Sequence, residues 1–207
     1  MNIVRQSMLI IFNPFYGFSV IKEYRENFKY YPVFILLALV ICSRVLSIFL
    51  THYPLASQLP EETNLTREVV IYIIPVLTLV VGNYLITTIH DGKALFKEQL
   101  AAASYSMLPY IMLAPVIALL THLMGSANMG LYRALTYIMW TWVILLFLIS
   151  LGSMNEYSVG KTIGVSLLSV FAGILLWAAI ALLYVLIEQV AGFIKEIVVE
   201  IRLAFLK

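Results

Sequence analysis

Long apolar runs separated by short polar breaks set the pattern of this chain. Five windows, residues 32–50, 69–89, 101–123, 131–151 and 163–187, approach the roughly 20 apolar residues needed to cross about 30 Å of hydrocarbon. The breaks between them read HYPLASQLPEETNLTRE, HDGKALFKEQ, MGSANMG and GSMNEYSVGKT. Both flanks are mixed. Residues 1–30 set Phe12, Phe15, Phe18 and Ile21 beside Arg5, Lys22, Arg25 and Lys29, predicting an interfacial helix, or two broken at Pro14. Toward the other end, Ile187, Ala191, Ile194, Val198, Ile201 and Phe205 form a helical stripe opposite Lys195, Glu196, Glu200 and Arg202. Such a stripe fits a helix lying on a membrane surface or packed on a partner. The pattern predicts an all-α polytopic membrane protein. Its single domain, 1–207, divides into an interfacial segment (1–30), a five-helix bundle (32–187) and an amphipathic helix (188–207).

Composition agrees. The 207 residues are 62% hydrophobic and 12% charged, with a mean hydropathy of +0.97; soluble domains are roughly 45–50% apolar and about 25% charged. A net charge of +2 gives no footing for nucleic acid as a partner. The one cysteine, Cys42, lies in an apolar run, so neither a disulfide framework nor a thiolate cluster is available. The first apolar run stops at Asn13-Pro14, too short for a secretory leader.

Lys and Arg near the span ends set orientation. Arg5, Lys22, Arg25 and Lys29 precede the first span, against Arg67 alone in the first loop with Glu61, Glu62 and Glu68. Lys93, Lys97 and Lys161 fall on the same side as the N-terminus, which predicts a cytoplasmic N-terminus in a cell membrane. Five spans then put the C-terminal helix outside, where Lys195, Arg202 and Lys207 are matched by Glu188, Glu196 and Glu200.

Handles for chemistry are few. Gly160-Lys161-Thr162 resembles the end of a phosphate loop, but Asn155 stands where another glycine is required, and the segment joins two helices rather than a strand and a helix. The better reading is packing: Gly160 and Gly164 continue into Ser166, Ser169 and Gly173, a small-residue stripe for close helix contact. His52, His90 and His122 are isolated in sequence and match no metal-ligand spacing. His90 and Asp91 end the second span above Thr87 and Asn83 on one face. This is either a polar packing seam or a proton or substrate path, since polar groups within spans face a bundle interior or cavity. Arg44 lies past the middle of the first span, where arginine costs roughly 2.5–3.5 kcal/mol. It either snorkels to the interface or pairs with Glu188 at the same leaflet. Pro109 and Pro115 predict a kinked third span, the bend falling at the Tyr105–Pro109 step. No nucleophile elbow or buried acid pair appears, and no enzyme activity or cofactor is predicted.

The stretch Gly92-Lys93-Ala94-Leu95-Phe96-Lys97-Glu98, followed by Ala102-x-x-Tyr105-Ser106-x-x-Pro109-Tyr110, resembles the central signature of the Yip family of Ypt/Rab-interacting membrane proteins. Asn13-Pro14-Phe15-x-x-Phe18 is similar to the Pro-containing amphipathic entry of its prokaryotic members. The resemblance covers about 25 central residues and a few near the start, and it implies five spans with a cytoplasmic N-terminus. Eukaryotic members carry a longer cytosolic region implicated in binding prenylated GTPases. Only about 30 residues precede the first span here, so the expectation is a bacterial or archaeal member, and direct GTPase binding does not carry over from the resemblance. Asn64-Leu65-Thr66 marks an exposed loop.

Two function classes follow. One is a non-catalytic scaffold or accessory subunit whose partners are membrane lipids and another membrane protein, or a second copy of itself. The alternative is a lipid or small-solute transporter working through a polar seam between the second and third spans. Scarcity of charge within the spans favours the first, because coupled carriers need acids there.

Overall fold

Backbone amides in hydrocarbon must be bonded within their own segment, and among the described residues the chain forms helices and no strand. The structure, a computed structural model, describes residues 3–23, 31–52, 55–56, 61, 63–125 and 128–205, with side chains as far as Lys195. Arg25, Lys29 and Glu62, and the side chains of Glu196, Val198, Glu200, Ile201, Arg202, Phe205 and Lys207, lie outside that set. The helices are α1 (Ile3–Phe12), α2 (Pro14–Glu23), α3 (Tyr31–Leu50), α4 (Leu65–Ile89), α5 (Phe96–Ser106), α6 (Leu108–Leu120), α7 (Met129–Asn155) and α8 (Val159–Phe205). Five helical stretches are long and apolar enough to span: α3, α4, the α5–α6 unit, α7 and α8. The chain is thus an all-α, multi-pass membrane protein. One end of the bundle carries Lys22, Lys93 and Lys161 and is called the basic end; the opposite end carries Arg44.

The central element is α5. Ala101, Ala102, Ala103, Ser104 and Ser106 are all buried, so α3, α4 and α7 approach its backbone closely. The helix is interrupted at Met107, two residues before Pro109. Pro109 has no N–H for the Tyr105 carbonyl; the Met107 N–H turns back on Ser104 and Tyr105 instead. The expected kink is therefore a break between two helices.

The first two helices do more than lie on a surface. Asn13 ends α1 and its side chain receives the Tyr16 N–H at the start of α2, while Pro14 opens α2. The two fold together so tightly that a Cβ on Gly17 would sit 2.9 Å from Ile10 Cα. Gln6 Nε2 donates to the Gly17 carbonyl at 2.6 Å. Ile10, Phe18 and Ile21 are wholly buried in one core with Leu36, Tyr105, Leu146 and Met154. Val4, Met8, Phe12 and Phe15 remain exposed, whereas Phe18 and Ile21, read with Phe12 and Phe15 as one surface stripe, are buried.

α4 and α8 share the closest seam. A Cβ on Gly82 would meet the Ser169 carbonyl at 2.6 Å and Gly173 N at 3.2 Å. Asn83 Oδ1 accepts from Ser169 Oγ at 3.1 Å, and Thr78 Oγ1 accepts from Trp177 Nε1 at 3.2 Å. The small-residue stripe needs correction here. Gly160 and Gly164 have open space where a side chain would be; the inward line on α8 is Thr162, Val165, Ser169 and Gly173, rotated away from them. A second correction concerns the C-terminal helix. Helix α8 runs unbroken for 47 residues, about 70 Å at 1.5 Å per residue, with no boundary at 187 and 188. From Trp177 to Lys195 every residue except Gly192 is exposed.

Candidate functional site

Two polar clusters occupy opposite ends. At the basic end, α7 stops at Asn155 and Glu156 follows in the left-handed conformation at φ 58°. Asn155 is buried; its Oδ1 accepts the Ala94 N–H at 3.2 Å and its Nδ2 donates to the Leu151 carbonyl. Glu156 receives Lys22 at 2.6 Å and Lys93 on its other oxygen. Those two lysines hold its carboxyl down at about 2. Tyr157 donates to the His90 carbonyl at 2.9 Å, and Lys161 lies 4.3 Å from its ring centre, within cation–π reach. Burial, then the nearby Asp91 charge, push the Tyr157 hydroxyl up. Gly92 fits because a Cβ there would come within 2.8 Å of Asn155 Oδ1 and 2.7 Å of the Thr87 carbonyl.

The polar face of α4 is closed from within. Thr87 Oγ1 receives Gln99 Nε2 at 2.8 Å, and Asn83 is bonded to Ser169 as above; both are buried. His90 caps α4, its N–H reaching the Ile86 and Thr87 carbonyls and its Nδ1 lying 3.0 Å from Ile86 O. Asp91 follows at φ 57°, the left-handed residue that ends the helix. The residues singled out along this face thus cap and pack. Gln99 Oε1 is buried with no hydrogen-bond partner among the described residues.

At the other end Arg44 finds a different acid from the one expected. Its Nε donates to Glu68 Oε2 at 2.8 Å; Glu188 is exposed on α8 and is not its partner. The reason is local. Asn64 caps α4, accepting the Thr66 and Arg67 N–H groups, so the helix begins at Leu65 and Glu68 stands in its first turn. There the helix dipole favours an acid, and α3 packs alongside. Arg44 also lies 5.2 Å from the Tyr72 ring centre. Tyr72, Tyr110 and Trp140 gather beside it, with centroids 5.3 Å apart for Tyr72–Tyr110 and Tyr110–Trp140 and 6.5 Å for Tyr72–Trp140. A cavity of about 80 Å³ is lined by Arg44, Thr51, Tyr72, Tyr132, Thr136 and Trp140, among others. Nearer the middle of the bundle, a groove of about 580 Å³ opens between α4 and α7, bordered by Ile71, Pro75, Ser106, Met107, Ile144 and Val170.

Histidines isolated in sequence also meet. His52 and His122 lie with ring centres 5.0 Å apart, tilted by 32°; His122 Nε2 lies 2.8 Å from the Leu50 carbonyl, and the His52 N–H donates to Thr121 Oγ1. They tie the end of α3 to the turn after α6. Tyr105 is buried in the core beside the helix break, and Pro109 is buried in the first turn of α6. Sequence reasoning passed over Glu68, Gln99, Asn155 and Glu156, each treated as part of a polar break or flank. Comparison with known proteins found no match: no family model, curated protein or solved structure matches the chain.

Proposed function

We propose that this chain works without turnover, as a scaffold or accessory subunit in a membrane assembly, with α8 presenting the docking face. The observation that carries this reading is the length of helix left bare. α8 packs on α4 only as far as Trp177, and 177–195 then runs almost wholly exposed. A single apolar helix is stable in a bilayer, so this length of α8 adds nothing needed for the fold and leaves small and aromatic positions open for another helix. In the proposed orientation the basic end faces the cytoplasm of a bacterial or archaeal cell, in keeping with the Yip-like signature in 92–110. The transporter alternative is the weaker reading, because the residues of its seam, Asn83 and Thr87, are bonded to Ser169 and Gln99.

Site-specific photocrosslinking tests it. A benzophenone side chain at Leu182 or Tyr184 should give a discrete protein adduct in native membranes, while one at Phe34, exposed on α3, should give lipid adducts. Identical lipid-only patterns at all three positions would sink the docking face. Protein-dependent lipid scrambling in liposomes, weakened by Asn83→Leu or His90→Leu, would replace the scaffold with a lipid mover.

A further inference from the structure

We propose that the Arg44 cavity and the adjoining groove together bind one phospholipid, its phosphate at Arg44 and an acyl chain between α4 and α7. The two spaces adjoin, with Tyr72 and Trp140 lining both. Three elements place them in the same order along the membrane normal. On α4 the polar cavity lies at Tyr72 and the groove continues to Pro75 and Leu79. On α7 it passes from Tyr132 and Thr136 through Trp140 to Phe147 and Leu148; along α6 and α5 it passes from Ala118 and Tyr110 to Met107 and Ala103. A polar pocket near one end thus adjoins an apolar groove toward the middle, which is the layout of a lipid headgroup and its chain. Ile71 and Ile144 are exposed, so the groove opens sideways to the bilayer. Its roughly 580 Å³ falls within the range of small-molecule sites, about 300–1,000 Å³.

The head end is built for an oxyanion. Glu68 takes only Nε of Arg44, and among the described residues the two terminal nitrogens have no hydrogen-bond partner. The guanidinium carbon lies 5.2 Å from the Tyr72 ring centre, within cation–π reach. A guanidinium held this way presents a forked pair of donors matched to phosphate. Glu68 cancels the net charge, so recognition rests on those directed donors, and a phosphate without its chain has too little to hold it. The hydroxyls of Ser47, Thr51 and Thr136 donate to carbonyls of their own helices, which turns them from donors into part of the wall. The cavity of about 80 Å³ has room for a phosphate group or the few waters it would displace.

Native mass spectrometry of the full chain in mild detergent tests the site, with phosphatidylglycerol, diacylglycerol and glycerol phosphate as probes. One phosphatidylglycerol per chain should be retained, at least tenfold more strongly than diacylglycerol, with glycerol phosphate failing to compete. The paired change Arg44→Met with Glu68→Leu should abolish that preference, since replacing both partners leaves no buried charge behind. Val170→Trp, at an exposed position on the groove wall, should weaken binding of both lipids and keeps the test independent of how the paired variant folds. Equal binding of diacylglycerol, competition by glycerol phosphate, non-saturating uptake of many lipids, or unchanged binding in both variants would each overturn the proposal.

Discussion

The two ends of the bundle use polar residues in opposite ways. At the basic end, backbone turns and side chains close on each other: Asn155 on Ala94, Glu156 on Lys22 and Lys93, Tyr157 on His90, Gln99 on Thr87. These groups lie where helices stop and loops need partners, and their bonds fasten α2, α4, α5 and α7 together. At the other end Arg44 and Glu68 lie within helices, sunk among aromatic rings, with a cavity beside them and donors left over. Polar groups that complete a fold leave no room around them; polar groups that leave room are the better place to look for a ligand.

The largest test of this contrast is to break the sunken pair. Arg44→Met alone strands Glu68, which is 2% exposed, and should destabilise the protein by about 3 kcal/mol or more. The paired change to Met and Leu should recover most of that loss in detergent thermal melts. A loss in the paired variant equal to the sum of the Arg44→Met and Glu68→Leu losses would mean that the two residues are not coupled.

Next comes the α4–α8 seam, which runs from the basic end only as far as Thr78 and Trp177. Gly82→Ala should cost about 1–3 kcal/mol through overpacking against the Ser169 carbonyl. Gly164→Ala, in open space, should stabilise α8 by up to about 1 kcal/mol. The reverse ranking in thermal melts would restore the packing role that the Gly160–Gly164 spacing implied.

At the basic end, Asp91→Gly tests whether that region is structural. A left-handed residue is relieved by glycine, so melting should shift upward or stay level, within about 1 kcal/mol, with localisation and crosslinking unchanged. A loss of function without loss of stability would instead make Asp91 a working group.

The smallest effect belongs to Glu156→Gln. A carboxylate held at about 2, against an ordinary 4.5, contributes stability that is whole above pH 4.5 and lost as the pH falls toward 2. Its exposure keeps the contribution small. The variant should melt slightly below the native chain at pH 7, and the gap should close as the pH is lowered through that window; a gap unaffected by pH would point to backbone geometry at φ 58° in place of charge.

Much of the architecture was legible. Hydropathy found the five spans because each run comes close to or passes the length a membrane demands, and Pro109 marked the α5–α6 break because a missing N–H has a local effect. What escaped depended on neighbours. The second window began at residue 69, one past Glu68, so the acid was left in the loop and Arg44 was matched to distant Glu188. The Asn64 cap and an acid in the first turn were the signal that the helix starts earlier. Phe18 and Ile21 read as a surface stripe because ten-residue apolar helices carry no mark of depth. The spacing of Gly160 and Gly164 was right for packing, yet the face α8 turns to α4 is set by Gly82 across the seam.

The hairpin of α1 and α2 adds bulk to one half of the bundle. The buried residues of that hairpin share a core with Ala94, Ala101 and Met154 near the basic end, whereas the core around Tyr110, Met139 and Val143 holds no residue of α1 or α2 among the described residues. Each copy therefore claims more area in one leaflet than in the other. As copies accumulate, the mismatch adds up, and a sheet of lipid relieves it by bulging toward the wider side. Vesicles formed at rising protein-to-lipid ratio should shrink in radius, and a chain without 1–23 should leave their size unchanged.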